Sequence, residues 1–316
     1  MSGDFLQRFL FAGLPVRGAV VRITHAWREA LARRASVGAF PPPVRALLGE
    51  MTAAGILMHS HIKFDGALIL QLHGDGALKL AVAEVKSDLC FRTTAQVTGP
   101  VDAPIAFARL VNPGGHARCA ITLDAADRSA GSLPYQGIVP LHGDQREPLA
   151  DLAGVLEHYM LRSEQLDTRI VLAADDEVAA GLLVQRMPAS RGITREEDLI
   201  GGDEDFNRIA HLSASLTRVE LLGLDVGTIM RRLYWQEGVN LFEPQSVAFR
   251  CSCSRERVRT MLVGLGRAEI ESVVQERGKV EVGCDFCGLH YGFDAIDVGE
   301  MFTPRHEQGM SSSTLQ

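Results

Sequence analysis

Aromatic residues are scarce: 316 residues hold two tryptophans and four tyrosines, and aromatics make up 6% of the chain. Basic residues are not in excess either, 32 Lys and Arg facing 39 Asp and Glu for a net charge of -7. Neutralising phosphates needs a concentrated basic face, and holding unpaired bases needs aromatic platforms. No nucleic-acid partner is therefore expected. No stretch approaches the roughly eighteen uncharged apolar residues of a membrane span, and Met1-Ser2-Gly3-Asp4-Phe5 lacks the charged and then apolar opening of a secretory signal. A soluble, cytoplasmic protein without a membrane partner is expected. Gly74-Asp75-Gly76 has neither the lysine nor the following helix of a phosphate loop, so it is a turn. No Ser-His-Asp order or paired carboxylates stand in a catalytic context, and the chain does not read as an enzyme.

Cysteine is also rare, six in all, yet four of the six fall in the last quarter as Cys251-Ser252-Cys253 and Cys284-Asp285-Phe286-Cys287. Two close pairs brought together by one loop match the tetrahedral, soft-ligand demand of zinc, one ion per chain. The single residue inside the first pair departs from the two to four of ordinary zinc ribbons. In an extended segment it holds the alpha carbons ~6.5 Å apart, near the limit a disulfide tolerates. The second pair has the spacing that closes a disulfide readily. The site thus reads as a metal centre or as two disulfides, and a reducing compartment favours the metal. Zinc would supply on the order of 10 to 16 kcal/mol of folding free energy, two short-loop disulfides about 2 kcal/mol each. Oxidation would then eject the metal and unfold the module. Arg250, Arg255 and Arg257 are candidates to offset the excess negative charge of four thiolates, and His290 is a candidate neighbour of the site. Cys90 and Cys119 read as ordinary buried thiols, and His59 and His61 point to different faces of one helix.

With 46% hydrophobic residues the chain can fill more than one core. Up to residue 188 the pattern is α+β. Strands are expected at 18–24, 67–72, 77–83, 89–97, 117–123, 135–140, 168–173 and 181–186, with helices at 26–34, 43–61 and 147–164. The apolar run 68–85 reads as core, with outward residues available to a client surface once uncovered. Residues 189–245 change character. An acidic, glycine-bearing junction over 195–205 precedes helices at 206–216, 219–224 and 226–236 that are too short to stand alone. They read as a linker docked on a neighbour. Residues 246–303 form the four-cysteine module, with Ser254 capping a helix to 262, a helix at 268–276 and a strand at 279–282. Residues 304–316 read as a disordered tail.

Phe242-Glu-Pro-Gln245, Phe249-Arg-Cys-Ser-Cys-Ser-Arg-Glu-Arg257 and Cys284-Asp-Phe-Cys-Gly288 with His290-Tyr291 resemble the zinc domain of the 33 kDa chaperonin family. Pro42-Pro-Val-Arg-Ala-Leu-Leu-Gly-Glu-Met51, Ser87-Asp-Leu89, Tyr135-Gln-Gly-Ile-Val-Pro140 and Ser163-Glu-Gln-Leu166 extend the similarity over nearly the whole chain. The resemblance implies an N-terminal client-binding domain, a metastable helical linker and a zinc switch at Cys251, Cys253, Cys284 and Cys287. It further implies that oxidation forms two disulfides, releases zinc, unfolds the linker and yields a homodimeric holdase for unfolding client proteins, independent of ATP. Two other classes compete. A zinc-ribbon nucleic-acid regulator is opposed by the acidic balance, and a thiol-disulfide oxidoreductase by a Cys-x-x-Cys that follows a strand instead of opening a helix.

Overall fold

A helix with no polar face organises the larger part of the molecule. The computed structural model describes residues 3–102, 104–127, 133–187 and 196–303. It divides into two compact units, 1–250 and 251–316. In the first unit the order is β1 (Phe5–Phe11), β2 (Val16–Ile23), α1 (His25–Ala35), α2 (Pro42–His61), β3 (Gly66–His73), β4 (Leu78–Lys86), β5 (Cys90–Val97), α3 (Phe107–Val111), β6 (Arg118–Ala125), β7 (Tyr135–Pro140), α4 (Leu152–Arg162), β8 (Thr168–Ala174) and β9 (Ala179–Arg186). Then follow α5 (Glu196–Ala214), α6 (Arg218–Gly223), α7 (Val226–Tyr234) and the short strands β10 (Val239–Leu241), β11 (Gln245–Ser246) and β12 (Ala248–Phe249).

One sheet runs β10-β1-β2-β9-β8, with β11 also on β1; the other runs β12-β5-β4-β3-β6-β7. Helix α2 opens on Pro42 and Pro43, where a missing N–H costs nothing, and packs against both sheets. Thirteen of its twenty residues are buried, as expected of a helix apolar all round. Two glycines permit the close approach: a Cβ on Gly49 would collide with Ala174 of the first sheet, and one on Gly55 would lie 3.0 Å from Val85 of the second. The mixed layers and segregated helices are the α+β class expected from sequence.

The hairpin β3–β4 forms around residues 74–77, where Gly74 N–H donates to Lys79 O, and the run 68–85 is largely core. Three expectations need correction. Strand β1, Phe-Leu-Gln-Arg-Phe-Leu-Phe, is not among the expected strands because its apolar residues come as a pair and a run of three instead of alternating. Helix α4 starts at Leu152, not 147, because the Asp151 carboxylate caps it by accepting from Gly154 N–H, while Gly143 N–H bonds back to Glu147 O. The acidic stretch from Glu196 is helical and forms the first half of α5, although it carries Gly201 and Gly202. Residues 188–195 and the tail 304–316 lie outside the described residues.

The second unit contains α8 (Arg255–Leu265), α9 (Arg267–Arg277), the antiparallel pair β13 (Val280–Gly283) and β14 (His290–Phe293), and α10 (Ala295–Met301). Ser254 Oγ caps α8 as expected, accepting from Arg257 N–H. The buried core is small: Leu262, Ile270, Val280, Phe293, Val298 and Met301. A module this far below ~70–80 residues needs a staple beyond its core.

Candidate metal centre and a covered apolar face

The four cysteines meet at one point. Cys251 and Cys253 precede α8; Cys284 and Cys287 lie in the turn between β13 and β14. That turn is fixed by Cys284 N–H donating to Leu289 O and Gly288 N–H to Cys284 O, both 2.8 Å. Gly288 takes φ +70°, a left-handed conformation that glycine adopts without cost. The four sulfurs lie within 4.8 Å of one another, with Cys251 Sγ 3.6 Å from Cys284 Sγ and Cys253 Sγ 3.4 Å from Cys287 Sγ. A tetrahedral zinc with Zn–S of ~2.3 Å requires sulfurs ~3.8 Å apart. The donor set therefore fits a closed zinc site, with no ligand position left for water.

The predicted neighbours spend their hydrogen bonds elsewhere. Arg250 belongs to the first unit and pairs with Asp88 at 3.3 Å. Arg255 donates to Gly292 O at 2.7 Å, pairs with Asp297 at 2.8 Å and stacks on Phe293, tying α8 to β14 and α10. Arg257 reaches the Ser252 carbonyl at 2.8 Å and so steadies the loop between Cys251 and Cys253. His290 is exposed and faces Gly283 across the β13–β14 pair. The group that does touch a sulfur is Tyr291, whose hydroxyl donates to Cys253 Sγ at 3.2 Å. Sequence reasoning passed over it. The signal available was the alternation of β14, which turns Tyr291 to the opposite face from His290.

The thiols differ in their electrostatics. Burial pushes Cys251 up and raises Cys287 well above an ordinary thiol. Burial also opposes ionisation of Cys253, but the Tyr291 hydroxyl and the adjacent sulfurs outweigh it and leave this thiol below its usual value. Tyr291 is in turn pushed up to about 12, first by its bond to Cys253. Outside the cluster, Cys119 is fully buried and pushed up to about 12, and Cys90 is buried, so neither is a ready nucleophile. His59 and His61 each bond a backbone carbonyl and do not share a site.

A second feature concerns the first unit. Strand β9 is buried from Ala179 through Gln185 without alternation, because both faces of its sheet are covered. Ala179, Gly181 and Leu183 are on the α2 side, where Gly181 abuts Leu57. On the other side Phe9, Phe11, Val16, Val20, Ala180, Leu182 and Val184 lie beneath Phe206, Ile209, Leu221, Ile229, Leu233 and Tyr234 of α5–α7. Tyr234 is the central anchor: its ring meets Phe11 edge-on at 4.9 Å, and its hydroxyl exchanges a 2.6 Å hydrogen bond with buried Ser213. Arg22 of β2 donates to the carbonyls of Leu221, Leu222 and Leu224, the C-terminal end of α6, where a cation is favoured. Arg218 of α6 lies 3.5 Å from Glu50 of α2.

The family model described as Hsp33 protein matches residues 4–294. The chain belongs to the Hsp33 family. It is 46% identical to the 33 kDa chaperonin of Chromobacterium violaceum over 95% of this chain and 94% of that one. Against the 33 kDa chaperonin of Methylobacillus flagellatus the identity is 40%, with the same two shares covered. The crystal structure of the 33 kDa chaperonin from Thermotoga maritima superposes with a TM-score of 0.73 over 94% of this chain and 97% of that one. Its 21% identity makes this a likeness of fold. The family is one of chaperones, and the four-cysteine cluster of this chain lies in its C-terminal region. Among the described residues no helix is long and apolar enough to cross a membrane.

Proposed function

We propose that the chain is a redox-gated holdase that binds unfolding proteins without ATP and is switched by oxidation of Cys251, Cys253, Cys284 and Cys287. The observation that carries this reading is the apolar face of β1, β2 and β9, which is covered by three helices of the following segment instead of a permanent core layer. Helices held by docking, two of them only six and nine residues long, have the low local stability that such switches draw on. Their removal would bare two phenylalanines and a row of aliphatic side chains, a surface suited to extended apolar client segments. Sequence reasoning looked for this surface on β3 and β4; the burial pattern favours the first sheet.

Zinc, when bound by the four thiolates, supplies the cross-link that the small core of the module lacks. The residues of the chain do the rest. Tyr291 donates to Cys253 and favours its thiolate, the form that attacks a peroxide oxygen. The resulting sulfenic acid condenses with a neighbouring thiol to a disulfide and water, and the second pair follows with a second equivalent of oxidant. Two disulfides within short loops do not restore the lost cross-link between α8 and the β13–β14 turn. The module unfolds, the helical layer opens in turn, and the exposed face supports client binding and homodimerisation in the cytoplasm. Light scattering of a heat-unfolding client tests this with reduced full-length, oxidised full-length and a chain ending within α5–α7. Suppression is expected from the last two only; equal suppression by reduced and oxidised full-length protein rules out redox gating.

A further inference from the structure

Two sequence stretches that the chaperone cycle does not use, Tyr135-Gln-Gly-Ile-Val-Pro140 and Ser163-Glu-Gln-Leu166, converge on one cavity of about 360 Å³ in the first unit. It opens at the C-terminal end of α2, between the two sheets, and falls in the range of small-ligand sites. Met58, Leu68, Ile121, Leu123 and Leu183 make its wall apolar. Glu164 lies on the side of the second sheet, its carboxylate accepting hydroxyl donors from Tyr159 at 2.6 Å and Tyr135 at 3.3 Å. Gln165 holds φ +56°, and Leu166 N–H returns to Met160 O, so a rarely adopted backbone conformation keeps Glu164 and Leu166 on the cavity wall.

The side of the first sheet is different. Arg17 is half-buried and has no acidic partner among the described residues; its Nε and one terminal nitrogen both donate to Gln185 Oε1, at 3.1 and 2.6 Å. Gln185 is in turn fixed by donating to Thr168. Arg17 and His61 also line an adjoining apolar cavity of about 250 Å³ that contains Arg8 and no carboxylate. A guanidinium oriented by a buried amide, with no carboxylate in ion-pair contact among the described residues and with apolar walls beside it, suits an anionic head group on an apolar chain. We propose that this cavity binds a small apolar monocarboxylate of the medium-chain acyl class, its carboxylate on Arg17 and its hydrocarbon among Met58, Leu68, Ile121, Leu123 and Leu183. The cavity is on the α2 side of β9, away from the face beneath α5–α7, so binding does not require that face to be bared.

Calorimetric titration of reduced, full-length protein with decanoate, decanol and decyltrimethylammonium separates head group from tail. Decanoate is expected to bind one molecule per chain, decanol roughly tenfold more weakly and the cation not at all. Arg17→Met should bring decanoate down to the affinity of decanol, and Leu123→Trp, which fills the cavity, should remove both. Equal affinity for decanoate and decanol overturns the assignment of the head group. Absence of saturable decanoate binding, or binding that survives Leu123→Trp, overturns the site.

Discussion

Arg22→Met isolates the docking of the helical layer from the redox chemistry. The guanidinium of Arg22 donates to three carbonyls at the end of α6, at 2.7 Å to Leu222 and at 3.2 and 3.3 Å to Leu221 and Leu224. Methionine preserves most of the packing of the stem and removes every donor. Hydrogen bonds from a charged donor are worth about 1.5–3 kcal/mol when short and buried, less for the two longer ones on a half-exposed group. A loss of about 2 kcal/mol in docking free energy is a reasonable expectation, which shifts the docked-to-open ratio roughly 30-fold. The cysteines are untouched, so metal content should not change. Amide hydrogen exchange over residues 206–234 should accelerate in the reduced protein, and suppression of client aggregation should appear with little or no oxidant. Unchanged exchange in α6 and α7, with a reduced variant as inactive as the parent, would refute the claim that these carbonyls latch the layer.

The remaining predictions concern the metal and pH. Purified reduced protein should contain one zinc per chain by elemental analysis; Cys251→Ser and Cys284→Ser should lose it while Cys90→Ser and Cys119→Ser retain it, and full retention in the first two would sink the ligand assignment. Tyr291→Phe removes the one hydroxyl among the described residues that donates to a cluster sulfur and should weaken zinc about tenfold in a chelator competition, the low end for an outer partner of a ligand; unchanged affinity would make Tyr291 a packing residue. Burial lifts the Glu50 carboxyl to about 7 while α5 and α6 cover it, although 21% of its side chain remains accessible. The docked state then holds a proton that the open state, with Glu50 in water, releases; docking is favoured below about pH 5 and weakens as pH rises through 7. Partial exposure limits the effect to on the order of 1–2 kcal/mol. Activation by oxidant should be several-fold easier at pH 7.5 than at 5.5, and Glu50→Gln should flatten that dependence; an unaltered pH profile in the variant would remove Glu50 from the account.

Where sequence sufficed, local patterns carried the fold. Strand β3 alternates cleanly up to the Gly74-Asp75-Gly76 turn, and α2 announces itself through paired prolines and a run of apolar residues. The cysteine spacing announced the four-thiol cluster, because two close pairs joined by one loop can be brought to a single point. Strands β10, β11 and β12 were out of reach: three, two and two residues long, they exist only by pairing with β1 and β5, more than 150 residues away in sequence. Tyr291 was missed for a related reason, since its partner Cys253 is 38 positions earlier. Trp235 shows the limit of reading burial from residue type. It is 75% exposed, whereas its neighbour Tyr234 is 2% exposed, so Tyr234 and not the tryptophan anchors the layer.

The unbroken burial of β9 is the most informative of these patterns, because a strand that must satisfy two layers cannot alternate. Toward α2 it presents Ala179, Gly181 and Leu183 to a helix that both sheets require; toward the other side it presents Ala180, Leu182 and Val184 to α5–α7. The two layers differ in what holds them. Helix α2 is fixed by the whole core, with fully buried Met51, Ile56 and Leu57. The covering layer consists of one long helix and two of six and nine residues, joined to the first sheet by one apolar seam and the Arg22 clamp, with Arg218 of α6 lying 3.5 Å from Glu50 of α2. An apolar strand face with a removable cover can remain folded when the cover leaves, because the permanent layer still holds the opposite face. Under the proposed function, that asymmetry would let a client-binding surface be exposed without unfolding the domain that carries it.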